Sequence, residues 1–152
     1  MTRVFLLALV TFVFAASPVG ASGRFVTKLS LPSGQTVVVS EGEFEARSIG
    51  SFSVRLYQSA APENETTFFT SGLVSARDGV VEKVMLADIN DDELPEIIVI
   101  VRSVGTGNYL SAHAFSVEMD QRLLLLASVE ELQSTADPVA ALRKTTLPGI
   151  VE

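Results

Sequence analysis

The chain has 152 residues, with 11 Lys and Arg against 18 Asp and Glu, a single His and no Cys. A formal charge of −7 makes it a poor partner for nucleic acid, where affinity rests on neutralising phosphates. The lack of cysteine removes disulfides, thiolate metal sites and thiol catalysis, so stability has to come from packing.

Met1-Thr2-Arg3 forms a short positive end, followed by an apolar run from Val4 to Ala16 and small residues up to Ser22. That is the layout of a secretory signal peptide, with Val19 and Ala21 at the positions inspected before cleavage. The expected division is therefore a signal peptide over 1–21 and one domain over 22–152. The run is shorter than the roughly 20 apolar residues that span a bilayer, so export without a membrane anchor is expected. Arg3 is the only charge removed, which leaves 131 residues with a formal charge of −8. That length suits a single core, and the charge favours encounter with a basic partner within a Debye length of about 8 Å.

The remainder reads as short β-rich runs punctuated by turn residues. Arg24 to Leu31 and Gln35 to Ser40 flank Pro32-Ser33-Gly34 and form a hairpin, since proline presets one turn angle and glycine tolerates positive φ. Phe44 to Ile49 and Ser51 to Gln58 follow as strands, the latter with Phe52, Val54 and Leu56 on one side and Arg55 and Tyr57 on the other. After a surface loop at Ala60 to Glu65, Phe68 to Ala76 and Val80 to Ile89 are separated by a turn at Arg77-Asp78-Gly79. Glu96 to Arg102 carries Ile97, Ile98, Val99, Ile100 and Val101 without a break, so both of its faces require cover and it is expected at the centre of a sheet. Tyr109 to Val117 and Arg122 to Val129 complete the strands, and a short helix is expected over Ala136 to Lys144, with Asp137 as N-cap and Pro138 in its first turn. The fold class is all-β: an antiparallel β-sandwich or flattened barrel with a short C-terminal helix. Strands are expected to neighbour one another in sequential order, and an exposed sheet edge offers a route to a homodimer.

Catalytic chemistry finds little support. His113 lies inside an alternating strand with no serine elbow near it, and eighteen acidic residues make carboxylate pairs common by chance, with no spacing that singles one out. No cofactor is expected. Asp88-Ile89-Asn90-Asp91-Asp92-Glu93-Leu94-Pro95-Glu96 places oxygens at alternate positions, as a loop around a hard cation does. Asp88, Asn90, Asp92 and Glu96 are thus candidate calcium ligands, although Glu93 stands where an EF-hand has its glycine and Val99 where it has its closing glutamate. The other reading is an acidic connection whose side chains bond local backbone amides. Ser103-Val104-Gly105-Thr106-Gly107-Asn108-Tyr109 is more distinctive, a small uncharged loop leaving the most apolar strand. With neither a following lysine nor a helix it is no phosphate loop, and it reads as either a binding tip or a plain hairpin connection.

Several stretches resemble the periplasmic inhibitors of invertebrate-type (i-type) lysozyme. They are Leu31-Pro32-Ser33-Gly34 with Val37-Val38-Val39, Glu41 to Tyr57, Arg77 to Val84, the acidic Asp88 to Glu96 connection, and Arg102 to Ala112. Their order across one exported domain is more specific than any one of them. The resemblance implies a non-enzymatic periplasmic inhibitor whose partner is an i-type lysozyme, with Ser103, Gly105, Thr106, Gly107, Asn108 and Tyr109 at the interface. Thr106 and Tyr109 would be the principal contacts. The family commonly has serine at the Thr106 position and glycine at the Asn108 position, so this chain departs from it twice. The resemblance also implies that Thr106 Oγ and the Tyr109 phenol donate hydrogen bonds to the two carboxyl groups of the lysozyme cleft. Glu63, Glu65 and Glu118 are candidates for steering a basic lysozyme. The alternatives from other classes are a calcium-binding periplasmic module and a structural envelope protein.

Overall fold

The computed structural model describes residues 23–147; the expected signal segment falls outside them. The elements are β1 Val26–Ser30, β2 Thr36–Glu41, β3 Ile49–Tyr57, β4 Phe69–Asp78, β5 Val80–Ala87, β6 Glu96–Arg102, β7 Leu110–Val117, β8 Leu123–Leu132 and α1 Pro138–Thr146. They form two antiparallel four-stranded sheets, β1-β2-β3-β4 and β5-β6-β7-β8, each in sequential order. The sheets stack without closing on each other, so the form is the sandwich and not the flattened barrel.

Alternation explains the inner face. Val37, Val39, Phe52, Val54 and Leu56 from the first sheet meet Val81, Ile97, Val99, Val101, Phe115 and Leu123 from the second. Each such side chain contributes about 1.5–3 kcal/mol when fully buried. The unbroken apolar run of β6 follows from its two contacts. Ile97, Val99 and Val101 face the first sheet, while Ile98 and Ile100 join Ile89, Leu110, Ala112, Ala114 and Leu142 in a second cluster roofed by α1. A nine-residue helix is marginal alone, and tertiary contacts hold this one. Asp137 caps Val139 N and Ala140 N at 2.9 and 3.2 Å, Arg143 donates to Asp88 O at 2.7 and 3.1 Å, and Leu142 is fully buried.

Two local expectations are corrected. Phe44 to Ile49 is not a separate strand: Phe44 is fully exposed with φ 61°, and the chain turns until β3 begins at Ile49. The strands joined at Arg77-Asp78-Gly79 are not the neighbours that sequential order implied, because β4 and β5 do not pair; here the chain crosses from one sheet to the other. Gly79 carries the crossing at φ 126°, and a β-carbon on it would overlap the Arg102 carbonyl. Arg77, only 2% exposed, sits beside it. It donates to Ser51 O at 3.0 Å, Arg47 O at 2.8 Å, Ala46 O at 3.0 Å and Gly79 O. The carboxylates of Glu41 and Glu45 lie 3.9 and 3.7 Å from it. Glu41 in turn accepts Val81 N at 2.7 Å across the sheets. A buried polar knot therefore fixes this end of the sandwich.

Edge strand β8 has register shifts against β7 at two places, and Leu124, Leu125 and Leu126 are all exposed on it. Irregularities of this kind bend an edge away from pairing with another chain. Among the described residues, no helix is long and apolar enough to cross a membrane.

His113 lies on the inner face, its ring 5.4 Å from Phe52. Burial holds its pKa below the ordinary imidazole value, with Glu130 pulling weakly the other way. A cationic group with a lowered folded pKa supports the fold while neutral. That contribution is present above the unfolded value of about 6.5 and lost as pH falls through the folded one. The chain has one His, so Tm should fall from pH 6.5 to 5 more steeply in the native protein than in His113→Gln. Parallel slopes in a pH series of thermal melts would show that His113 carries no such linkage.

Candidate functional site

The Ser103–Tyr109 segment connects β6 to β7 at the end of the sandwich where the chain crosses at Gly79. Its base is closed by Ser103 N donating to Tyr109 O at 2.9 Å, with a turn from Asn108 N to Gly105 O at 3.3 Å. Arg102 clamps it further, donating to Asn108 O at 3.1 Å, and is itself held by Glu82, whose Oε1 accepts Nη2 at 2.9 Å. The Arg102 hydrogen bond keeps the Glu82 carboxyl below its ordinary pKa, which favours the ionised form of the clamp.

The two glycines of the loop do not supply its left-handed turn. Neither Gly105 nor Gly107 has positive φ; the left-handed position belongs to Asn108, at φ 47°. That residue type tolerates the conformation, which accounts for a non-glycine there. Gly107 has another role, since a β-carbon on it would overlap the Tyr109 ring where that ring now lies. Gly105 faces open space. The result is a loop whose tip, Val104 to Asn108, is exposed and whose tyrosine lies against its own backbone while 44% exposed.

Ser48, Asp78, Ser103, Val104, Gly105, Thr106, Gly107 and Tyr109 line an open depression of about 540 Å³. The structure therefore brings five of the six expected residues around one depression, with Asn108 at the turn supporting them. Ser103 Oγ is buried there without a hydrogen-bond partner. Ser48 and Asp78 were not expected. They arrive because Ile49 pairs with Asp78 beside the Gly79 crossing.

Glu63, Glu65 and Glu118 do not belong here. They lie in the β3–β4 and β7–β8 connections, at the opposite end of the strands, and Glu65 pairs with Lys28. A strand of this length separates the ends by about 20 Å or more, so these carboxylates stand away from the loop.

The acidic connection is accounted for by its own backbone. Asp88 accepts Asn90 N, Asp91 N and Glu93 N at 3.2, 2.8 and 3.0 Å. Burial acts to raise its pKa, but these amides together lower it. Asp92 Oδ1 accepts Leu94 N at 2.8 Å, Asn90 Nδ2 donates to Asp92 Oδ2 at 2.9 Å, and Glu96 accepts Ile89 N at 2.9 Å. Among the described residues no three His, Cys, Asp or Glu side chains gather as a metal would require.

A two-sheet scaffold that clamps the base of one loop and exposes its tyrosine and hydroxyl tip defines a loop-presenting binding protein. The family model described as periplasmic lysozyme inhibitor of I-type lysozyme matches residues 23–146, and the chain belongs to this family. It is similar to the crystal structure of PliI-Ah, the periplasmic lysozyme inhibitor of I-type lysozyme from Aeromonas hydrophila. The TM-score is 0.74 at 45% identity, covering 78% of this chain and 98% of that one. It is also similar to Aeromonas hydrophila PliI in complex with Meretrix lusoria lysozyme, with a TM-score of 0.72 at 44% identity over 78% and 95% of the two chains. No curated protein sequence matches.

Proposed function

We propose that this chain inhibits i-type lysozyme by inserting the Ser103–Tyr109 loop into the active-site cleft, acting as a plug and not as an enzyme. The observation that carries the proposal is the loop's construction. Its base is held by Ser103 N to Tyr109 O and by the Arg102–Glu82 clamp, so little ordering cost remains at binding. Its exposed tip offers hydroxyl donors and no charge. A glycosidase cleft of this mechanism holds an acid and a nucleophile, both carboxyl groups. Thr106 Oγ and the Tyr109 phenol donate to them, each charge-assisted bond contributing roughly 1.5–3 kcal/mol. Residues 1–21 act in this reading as the signal that delivers residues 22–152 to the periplasm.

The direct test is turnover of lysed bacterial cell walls by an i-type lysozyme with and without the purified chain, beside chicken-type and goose-type enzymes. Selective loss of i-type turnover is expected. Equal activity of all three in its presence would overturn the proposal.

Gly105→Ala probes how closely the loop meets the cleft. Gly105 has no positive φ and open space around its α-carbon, so the free protein should tolerate alanine, with Tm unchanged or slightly raised. Inhibition should weaken, because an added methyl meets the cleft wall. Full inhibition by this variant would place Gly105 away from the lysozyme surface.

A further inference from the structure

The depression beside the inhibitory loop has a second wall whose chemistry differs from the loop's. The loop lines it with Ser103, Val104, Gly105, Thr106, Gly107 and Tyr109, and the other wall is made by Ser48 and Asp78. Of these residues Asp78 alone carries a charge. Backbone geometry fixes its position. Asp78 closes β4 as the register partner of Ile49, and the next residue, Gly79, donates its N–H to Ser48 O at 2.8 Å. The residue before it, Arg77, ties the same turn through Arg47 O and Ala46 O.

Asp78 is exposed, and among the described residues its carboxylate has neither hydrogen bond nor ion pair. The arginines at this end of the sandwich are committed elsewhere. Arg77 is spent on backbone carbonyls and faces Glu41 and Glu45, Arg102 pairs with Glu82, and Arg47 donates to Gly23 O at 3.3 Å. An unpaired carboxylate is well solvated in the free protein, but one covered by a partner's surface has to be paired. A specific protein interface takes about 20–30 residues a side. The seven residues from Ser103 to Tyr109 are then only its centre, and the facing wall of the depression falls beneath the partner too. Ile49, opposite Asp78 on β3, is 63% exposed, and Val104 on the loop is 59% exposed. Covering these two apolar side chains keeps water from the carboxylate, which strengthens a charge pair made there.

We infer that Asp78 is a specificity contact, pairing with a cationic lysine or arginine side chain at the rim of the lysozyme cleft while the loop fills the cleft itself. The inference rests on the loop reading above and adds the chemistry of the partner's rim. The acidic balance of the chain, −7 in all, is read by the lysozyme at this one position. An i-type lysozyme with a neutral or acidic residue facing Asp78 is inhibited less.

The test measures inhibition constants against one i-type lysozyme at low and at high salt. Asp78→Asn keeps the side-chain shape and the backbone pairing with Ile49, so its melt should match the native one. Inhibition should weaken about tenfold, the loss of one charge-assisted bond, and most of its salt dependence should go with it. Asp78→Lys should weaken it further, by repulsion at the same place. Glu63→Gln removes the same net charge at the opposite end of the strands and should change neither the constant nor its salt slope. Tyr109→Ala, measured alongside, separates the two readings: if it loses inhibition while Asp78→Asn inhibits like the native chain, the loop stands and this inference falls. A weaker Asp78→Asn with the native salt slope, or equal weakening by Glu63→Gln, would also overturn it, since a charge contact at Asp78 would then not be the cause. A native chain that inhibits no i-type lysozyme would overturn both readings.

Discussion

Tyr109→Ala is expected to weaken lysozyme inhibition by about 30-fold or more, the 2 kcal/mol or greater loss of a buried aromatic anchor, while leaving the melting temperature almost unchanged. The two halves of that result have separate causes. In the free protein the ring is 44% exposed and rests on Gly107, so its removal uncovers little core. The bond that closes the loop uses the Tyr109 backbone oxygen, which alanine retains. In the complex the same ring supplies rigid contact area and a phenol donor. Tyr109→Phe separates these, and a loss of about tenfold there would measure the phenol's bond to a cleft carboxyl. A folded Tyr109→Ala that still inhibits fully would remove the loop from the mechanism. Inhibition constants against one i-type lysozyme, measured beside thermal melts, distinguish these results.

What sequence reading captured and missed follows one physical division. Period-two alternation identified the inner face of β3, and the unbroken run of Ile97 to Val101 placed β6 between two layers; both are local consequences of burial. The capped helix was equally readable, because Asp137 and Pro138 act on amides within one turn. Asp88 and Asn90 bond neighbouring amides as one of the two readings of their connection had it. The errors sit where distant backbone decides. Phe44 and Ile49 are apolar yet exposed, and a turn held by Arg77 carbonyl contacts runs where alternation implied a strand. Gly79 looks like a turn between paired strands until the Arg102 carbonyl is placed against it. Arg77 itself gave one signal: it shares the inward phase of Leu73 in β4, and a charge on that phase demands partners. Apart from Gly79 O, its hydrogen-bond partners lie 26 or more residues away and follow no sequence pattern. The loop residues were located by glycine spacing and resemblance. Which glycine is sterically fixed, and that Asn108 takes the left-handed turn, emerges only with the Tyr109 ring in place.

Arg77→Met is expected to destabilise the protein by about 3–5 kcal/mol, the cost of breaking a buried, hydrogen-bonded charge network from one side, and to lower Tm by about 10–20 °C. Methionine fills much of the same volume, so the loss does not come from a cavity. It comes from the carbonyls of Ala46, Arg47, Ser51 and Gly79, which lose this donor, and from the buried carboxylate of Glu41, left 3.9 Å from where the guanidinium stood. Arg77→Lys restores a positive charge but lacks the planar fork that reaches several carbonyls at once, so it should recover only part of the loss. The position of the knot adds a functional consequence. Gly79 presses against the Arg102 carbonyl, and Arg102 clamps the loop through Asn108 O; loosening the turn at residues 46–48 and the crossing therefore loosens the loop's base. At a temperature where Arg77→Met is still folded, its inhibition should weaken mainly through faster dissociation from lysozyme, since steering charges are untouched and preorganisation is lost. A variant that melts low but dissociates at the native rate would confine Arg77 to stability and leave the loop's rigidity to the Arg102–Glu82 clamp alone.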